Sequence, residues 1–187
     1  FAQLAVALGG YTLQQQAERF CIGTEVELDF ATLHSSFDLG DVTAASLAQT
    51  GFGQGRTGIS PLHLAMIYQS VANDGQMLRP YLVQQIFQGK RVLQHGSKTE
   101  LGQPVSRKTA QTLQDMLHQT ALSYGFDLET YGWVAAKTGT AELGDGTHHI
   151  YLCGFTETYT FVLSRNQTLD GSSSLFPTAS ALLKALR

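Results

Sequence analysis

Trp133-Val134-Ala135-Ala136-Lys137-Thr138-Gly139-Thr140-Ala141-Glu142, followed closely by the turn Gly144-Asp145-Gly146, is the stretch that decides the fold class. It reads as a strand, 133–142, entering a hairpin. Strands over 149–156 and 158–164 follow at once, with Glu157 near the second turn. Links this short join neighbouring strands, so the three form an antiparallel meander. The rest of the chain carries helical signals. Phe1, Leu4, Ala5 and Leu8 share one helical face, and Gly9-Gly10 ends that helix. Thr12 and Gln15 read as a capping box for a second helix, with Leu13, Ala17, Phe20 and Cys21 on its apolar face. Residues 23–42 show no period, and a short helix is expected within 41–49. Ser60 is an N-cap ahead of Pro61, opening a helix that buries Leu64, Tyr68, Val71 and Ala72 and ends at Asn73-Asp74-Gly75. Residues 81–87 and 91–94 make a hairpin around Gly89-Lys90. Ser106 caps a helix with Ala110, Leu113, Leu117 and Ala121 on one side, and 178–186 is a C-terminal helix. The expected class is α+β, an antiparallel sheet with helices on its faces.

Bulk composition narrows the function classes. The 187 residues suffice for one domain with a real core. A net charge of −3 and the absence of a basic run give no footprint for nucleic acid or a membrane surface. No stretch is long and apolar enough for a transmembrane helix. Cys21 and Cys153 are far apart in apolar settings and read as free thiols. No Cys/His spacing matches a metal site, and His148-His149 reads as an exposed turn. Gly53-Gln54-Gly55 lacks the flanking pattern and the lysine of a phosphate loop. No cofactor is expected.

The chemistry lies in Lys137-Thr138-Gly139-Thr140. Alternate side chains on a strand point the same way, so Thr138 and Thr140 share a face. Gly139 between them lets a ligand approach the backbone. Lys137 adds a positive charge. Together these make a site for an extended acyl group carrying a carboxylate, with the Thr140 N–H placed to help hold an oxyanion. Taken alone, the same four residues read equally well as an ordinary edge strand running to a turn.

Their surroundings carry a resemblance. Ala136-Lys137-Thr138-Gly139-Thr140-Ala141-Glu142 resembles the Gly-Lys-Thr-Gly-Thr-Ala-Glu block of penicillin-binding transpeptidase domains, class B in particular, with Ala136 in place of the usual Gly. Tyr151-Leu152-Cys153-Gly154-Phe155 is similar to that family's Trp-Phe-Val-Gly-Phe strand. Gly53-Gln54-Gly55 with Ser60-Pro61-Leu62-His63-Leu64-Ala65 resembles its Gly-Gln-Gly and Thr-Pro-Leu-Gln-x-Ala. Ala72-Asn73-Asp74-Gly75 and Arg79-Pro80-Tyr81-Leu82-Val83 follow, also in the family's order. The resemblance covers nearly the whole chain. It implies a β-lactamase/transpeptidase-like fold, incomplete here, with the last three strands and the C-terminal helix present. It implies that Lys137 supports the substrate carboxylate and proton transfer. Thr138 and Thr140 would bind the carboxylate, and Gly139 belongs to the same substrate-binding block.

Two other motifs of the family are missing from their places. No serine here has Lys three residues later, and Ser106-Arg107-Lys108-Thr109 comes nearest. Ser164-Arg165-Asn166 spells Ser-x-Asn but falls after Lys-Thr-Gly, in the wrong order. Phe1-Ala2-Gln3-Leu4-Ala5 looks like the residues directly after the family's own Ser-x-Asn. The expectation is therefore that residues 1–187 are the C-terminal portion of one such domain, unable to be acylated alone. The partners implied are a peptidoglycan stem peptide, β-lactams and a complementary N-terminal segment. The place implied is the outer side of a bacterial cell membrane, with the anchor elsewhere. A β-lactam sensor, a serine β-lactamase and a non-catalytic scaffold are the rival readings.

Overall fold

A computed structural model describes residues 1–32 and 34–187. Helix α1 (Ala2–Arg19) is broken at Gly9, whose φ of 76° and ψ of 162° are not helical. The second run starts directly at Gly10, so Thr12 lies inside the helix and caps nothing. Gln15 instead donates through Nε2 to the Tyr11 hydroxyl at 2.8 Å. The irregular connection expected over 23–42 is observed at its described positions, Leu33 lying outside them. Helix α2 (Ala44–Gly51) opens with a capping box between Thr43 and Ser46. Helix α3 (Pro61–Ala72) begins at the Ser60 cap, where Oγ accepts the His63 N–H. Helix α4 (Arg107–Ser123) is capped by Ser106, whose Oγ accepts the Thr109 N–H at 3.1 Å. Between α3 and α4 lie β1 (Met77–Leu78), the exposed hairpin of β2 (Gln85–Gln88) and β3 (Arg91–His95), and β4 (Glu100–Gly102), which pairs with β1.

After the single-turn α5 (Leu128–Tyr131) comes the meander of β5 (Val134–Glu142), β6 (His148–Thr156) and β7 (Thr160–Thr168). Its register sets Lys137 opposite Cys153 and Gly139 opposite Tyr151. Period-two alternation then separates two faces. Val134, Ala136, Ile150, Leu152 and Phe161 are buried on one face against Ala179 and Leu183 of α6 (Phe176–Ala185). Ala135 and Phe155 are buried on the other against Val71 of α3, with Leu113, Leu117 and Trp133 around them. The sheet is thus covered by α6 on one side and by α3 and α4 on the other, as an α+β class requires.

Several local expectations shift. Helix α3 buries His63, Met66, Ser70 and Val71, whereas Ala72 is exposed and Leu64 and Tyr68 are half-buried. The reason is that Val71 is the residue packed on Phe155, which turns Leu64 and Tyr68 towards a cleft. His148 and His149 open β6 and are half-buried, so they are not an exposed turn. Tyr159 sits in the β6–β7 turn and is exposed. Cys21 is half-buried and Cys153 buried, both as free thiols.

Candidate active site

A cleft of about 290 Å³ separates α3 and the glycine-rich loop from the sheet. Phe52, Thr57, Ile59, Leu64 and Tyr68 form one wall. Lys137 to Ala141 of β5, with Tyr151 and Cys153 of β6, form the other. Lys137 is the one charged side chain among the described residues lining it, and no serine, histidine or carboxylate lines it. Burial pushes the Tyr68 phenol far above its ordinary value, with Cys153 and Tyr124 nearby adding to the shift. Burial also pushes the Cys153 thiol up to about 12. Both groups are therefore neutral near pH 7, and Lys137 sets the charge of the cleft.

The backbone explains how the sheet wall is presented. The Thr138 N–H donates to the Tyr124 hydroxyl, so it points away from β6. Residues two apart on a strand share that direction, so the Thr140 N–H points out along the same edge. Helix α4 lies along this edge. His118 Nδ1 contacts the Val134 carbonyl at 2.7 Å, and the Tyr124 hydroxyl lies 3.0 Å from Thr138 Oγ1 and 3.3 Å from its N–H. An unpaired strand edge invites pairing with another chain, and side chains from α4 close this one up to Thr138. The helix ends at Ser123, and the exposed Thr140 follows beyond its reach. An oxyanion or an extended ligand would find its N–H donor there.

Lys137, Thr138, Gly139 and Thr140 therefore fall at one rim of one cleft. Lys137 and Gly139 belong to the face shared with Tyr151 and Cys153, and Lys137 Nζ donates to the Thr138 carbonyl at 2.9 Å. Thr138 and Thr140 belong to the opposite face, at the edge. A Cβ built at Gly139 would meet only Tyr151, at 3.8 Å, and its φ is an ordinary strand value. The fold does not demand glycine there. Ser164 is on β7, paired with Tyr151 and hence two strands, about 10 Å, from Gly139. Its Ser-x-Asn spelling is not at the cleft.

The opposite wall and Tyr124 are what the linear reading misses. Phe52, Thr57 and Ile59 reach the cleft only because the glycine-rich loop folds over the sheet. Tyr124 is marked by nothing in Leu122-Ser123-Tyr124-Gly125.

A two-faced antiparallel sheet with a Lys-Thr-Gly-Thr strand at the rim of a cleft points to the penicillin-binding class of proteins. The chain belongs to that class by direct comparison: the family described as the penicillin binding protein transpeptidase domain matches residues 1–184. It is similar to penicillin-binding protein 3 of Bacillus subtilis, 29% identical over 162 residues, covering 83% of this chain and 24% of that protein. It is also similar to the peptidoglycan D,D-transpeptidase PbpA of Mycolicibacterium smegmatis, 30% identical over 149 residues, covering 77% of this chain and 30% of that protein. The chain thus spans about a quarter to a third of these curated relatives. Among solved structures, PBPA of Mycobacterium tuberculosis superposes over 100% of this chain and 46% of its own, with a TM-score of 0.83 and 22% identity. The penicillin G acyl-enzyme complex of the same protein gives a TM-score of 0.81. These likenesses place the fold with the penicillin-binding transpeptidases. No described helix is long and apolar enough to cross a membrane.

Proposed function

We propose that this chain forms the Lys-Thr-Gly half of a peptidoglycan D,D-transpeptidase site that is acylated by β-lactams. In this reading the chain is the C-terminal portion of one transpeptidase domain, and a serine and its lysine partner come from residues outside the sequence. The observation that carries it is the composition of the cleft: on β5 a lone lysine, two threonines and a glycine, with no serine, histidine or carboxylate among the described lining residues. Acyl transfer needs a nucleophile with a base in hydrogen-bond reach; this wall supplies Lys137 to support the carboxylate and proton transfer, but no serine nucleophile.

The parent reaction proceeds in two steps. The serine Oγ attacks the carbonyl carbon of the penultimate D-alanine. The peptide C–N bond breaks, an ester forms, and the terminal D-alanine leaves with the serine's proton on its nitrogen. An acceptor amine then attacks the ester, forming a new amide and returning a proton to Oγ. Lys137, Thr138 and Thr140 hold the terminal carboxylate, and the Thr140 N–H steadies the oxyanion in both steps. A β-lactam enters the same way, its ring amide taking the place of the scissile bond. The expected setting is the outer side of the cell membrane, where the stem peptide is found.

Two further features support a complementary segment of the same domain as partner. Strand β7 pairs only with β6 among the described residues, leaving its other side for additional strands. Phe1 and, on helix α1, Leu4, Leu8 and Tyr11 are exposed, an apolar surface that such a segment would cover. The test is labelling by a fluorescent penicillin. The isolated polypeptide should take no covalent label and the intact domain should take one. A stoichiometric label on residues 1–187 alone would overturn the half-site reading.

A further inference from the structure

We propose that Tyr124 is a positioning residue for carboxylate recognition, setting the direction in which Thr138 offers its hydroxyl proton. The inference rests on the reading above that Thr138 binds the substrate carboxylate. The Tyr124 oxygen lies within hydrogen-bond distance of two atoms of one residue, the Thr138 N–H at 3.3 Å and Oγ1 at 3.0 Å. A phenol has one proton. Its oxygen accepts the backbone N–H, and among the described residues Thr138 Oγ1 is the one acceptor within reach of its own proton, so the proton is assigned to that contact. That donation occupies a lone pair of Oγ1 and leaves the Thr138 proton directed away from Tyr124. An anion accepts hydrogen bonds and donates none, so a hydroxyl serves a carboxylate only when its proton faces outward. Without the phenol, Oγ1–H rotates among its staggered positions and meets the carboxylate with its lone pairs for part of the time.

The phenol is itself held at both ends. The Tyr124 N–H caps α4, donating to the Thr120 and Ala121 carbonyls. Its ring packs on Phe176 of α6 with centroids 5.1 Å apart. Phe176 also contacts Phe126, at 5.7 Å between centroids, so the ring belongs to the core beneath the sheet. The Thr138 hydroxyl is therefore aimed from the face opposite the cleft, through an element more than a dozen residues earlier in the chain. The same contact uses up the Thr138 N–H, so the next N–H along this edge towards the turn, that of Thr140, is open to a ligand.

The experiment compares benzylpenicillin with its methyl ester, which lacks the anionic carboxylate, on the intact domain that contains this chain. Acylation is followed by competition with a fluorescent penicillin in wild type, Y124F, T138V and the double variant. Losing one oriented hydrogen bond predicts a fall of about threefold to tenfold for benzylpenicillin in Y124F, with the ester unchanged. The double variant is expected to be no slower than T138V. Both ligands sample the same folded molecules, so the rate ratio between them is insensitive to any loss of folded fraction. A ratio unchanged in Y124F but lowered in T138V overturns the positioning role and leaves the site reading intact. A ratio unchanged in T138V overturns the carboxylate role of Thr138, and with it both readings.

Discussion

Gly154 on β6 lies directly opposite Ala136 on β5, and a Cβ at Gly154 would stand 2.9 Å from the Ala136 Cβ. It would also come within 2.4 Å of the Ala135 carbonyl oxygen and 2.8 Å of Phe161 Cζ. Neither a strand carbonyl nor a core aromatic ring can retreat cheaply, because the interior is close-packed. Gly154→Ala is expected to cost about 3 kcal/mol, the upper range for overpacking, read as a lower urea midpoint of the intact domain. Ala136→Gly in the same background should restore only part of that loss, since the carbonyl contact remains. Full recovery would locate the clash at Ala136 alone.

Gly139 gives the opposite result for the opposite reason. A methyl group there touches only Tyr151 at an ordinary distance. Gly139→Ala should leave stability within about 0.5 kcal/mol of wild type, as for a substitution that breaks no packing. Its cost should appear in ligand approach, as a fall of tenfold or more in the rate of β-lactam acylation. A large drop in melting temperature would mean that the fold, and not the ligand, requires glycine.

The Cys153 thiol has its pKa raised to about 12 by burial, above its ordinary value of 9.0. A raised thiol pKa means that folding favours the protonated form. Its contribution to stability is whole below about pH 9 and fades as pH climbs towards 12. Cys153→Ala should therefore flatten the loss of stability between those values relative to wild type. Iodoacetamide should modify Cys153 slowly at pH 8.5 in the folded protein and rapidly in urea, because the thiolate is the reactive form. Fast modification of the native protein would contradict the burial of this thiol beneath the cleft.

Helix α4 carries both His118 and Tyr124 to the β5 edge, so its start bears on the site. Ser106 Oγ satisfies the Thr109 N–H. Ser106→Ala should cost about 1 kcal/mol of stability, measured by denaturant titration, while Ser106→Asn should cost less. If the cap serves only to anchor the helix, the benzylpenicillin-to-ester ratio will not move in either variant.

Much of the fold was legible because its signals are local. Ser60-Pro61 and Ser106 begin helices through bonds made within one turn. The meander is legible because only short turns separate its strands. The capping box at Thr12 failed because Gly9 breaks the helix sooner than expected and Gly10 already continues it. Of the face read from Leu64, Tyr68, Val71 and Ala72, only Val71 is buried: Ala72 is exposed, and Leu64 and Tyr68 are partly buried because they also line the cleft. Periodicity reports that a helix has an apolar side, but not which part of that side meets a neighbour.

By itself, the order of blocks around Lys137-Thr138-Gly139-Thr140 determined the class of protein and the strand on which its chemistry lies. That information is local, carried by residue type and by the two-residue period of a strand. Only the tertiary structure decided what stands around that strand. It brought Phe52, Thr57 and Tyr68 across the cleft, placed Gly154 against Ala136, and set the phenol of Tyr124 on Thr138. Those relationships join segments distant in the chain, and they exist because burying both faces of one sheet forces α3, α4 and α6 into contact with it.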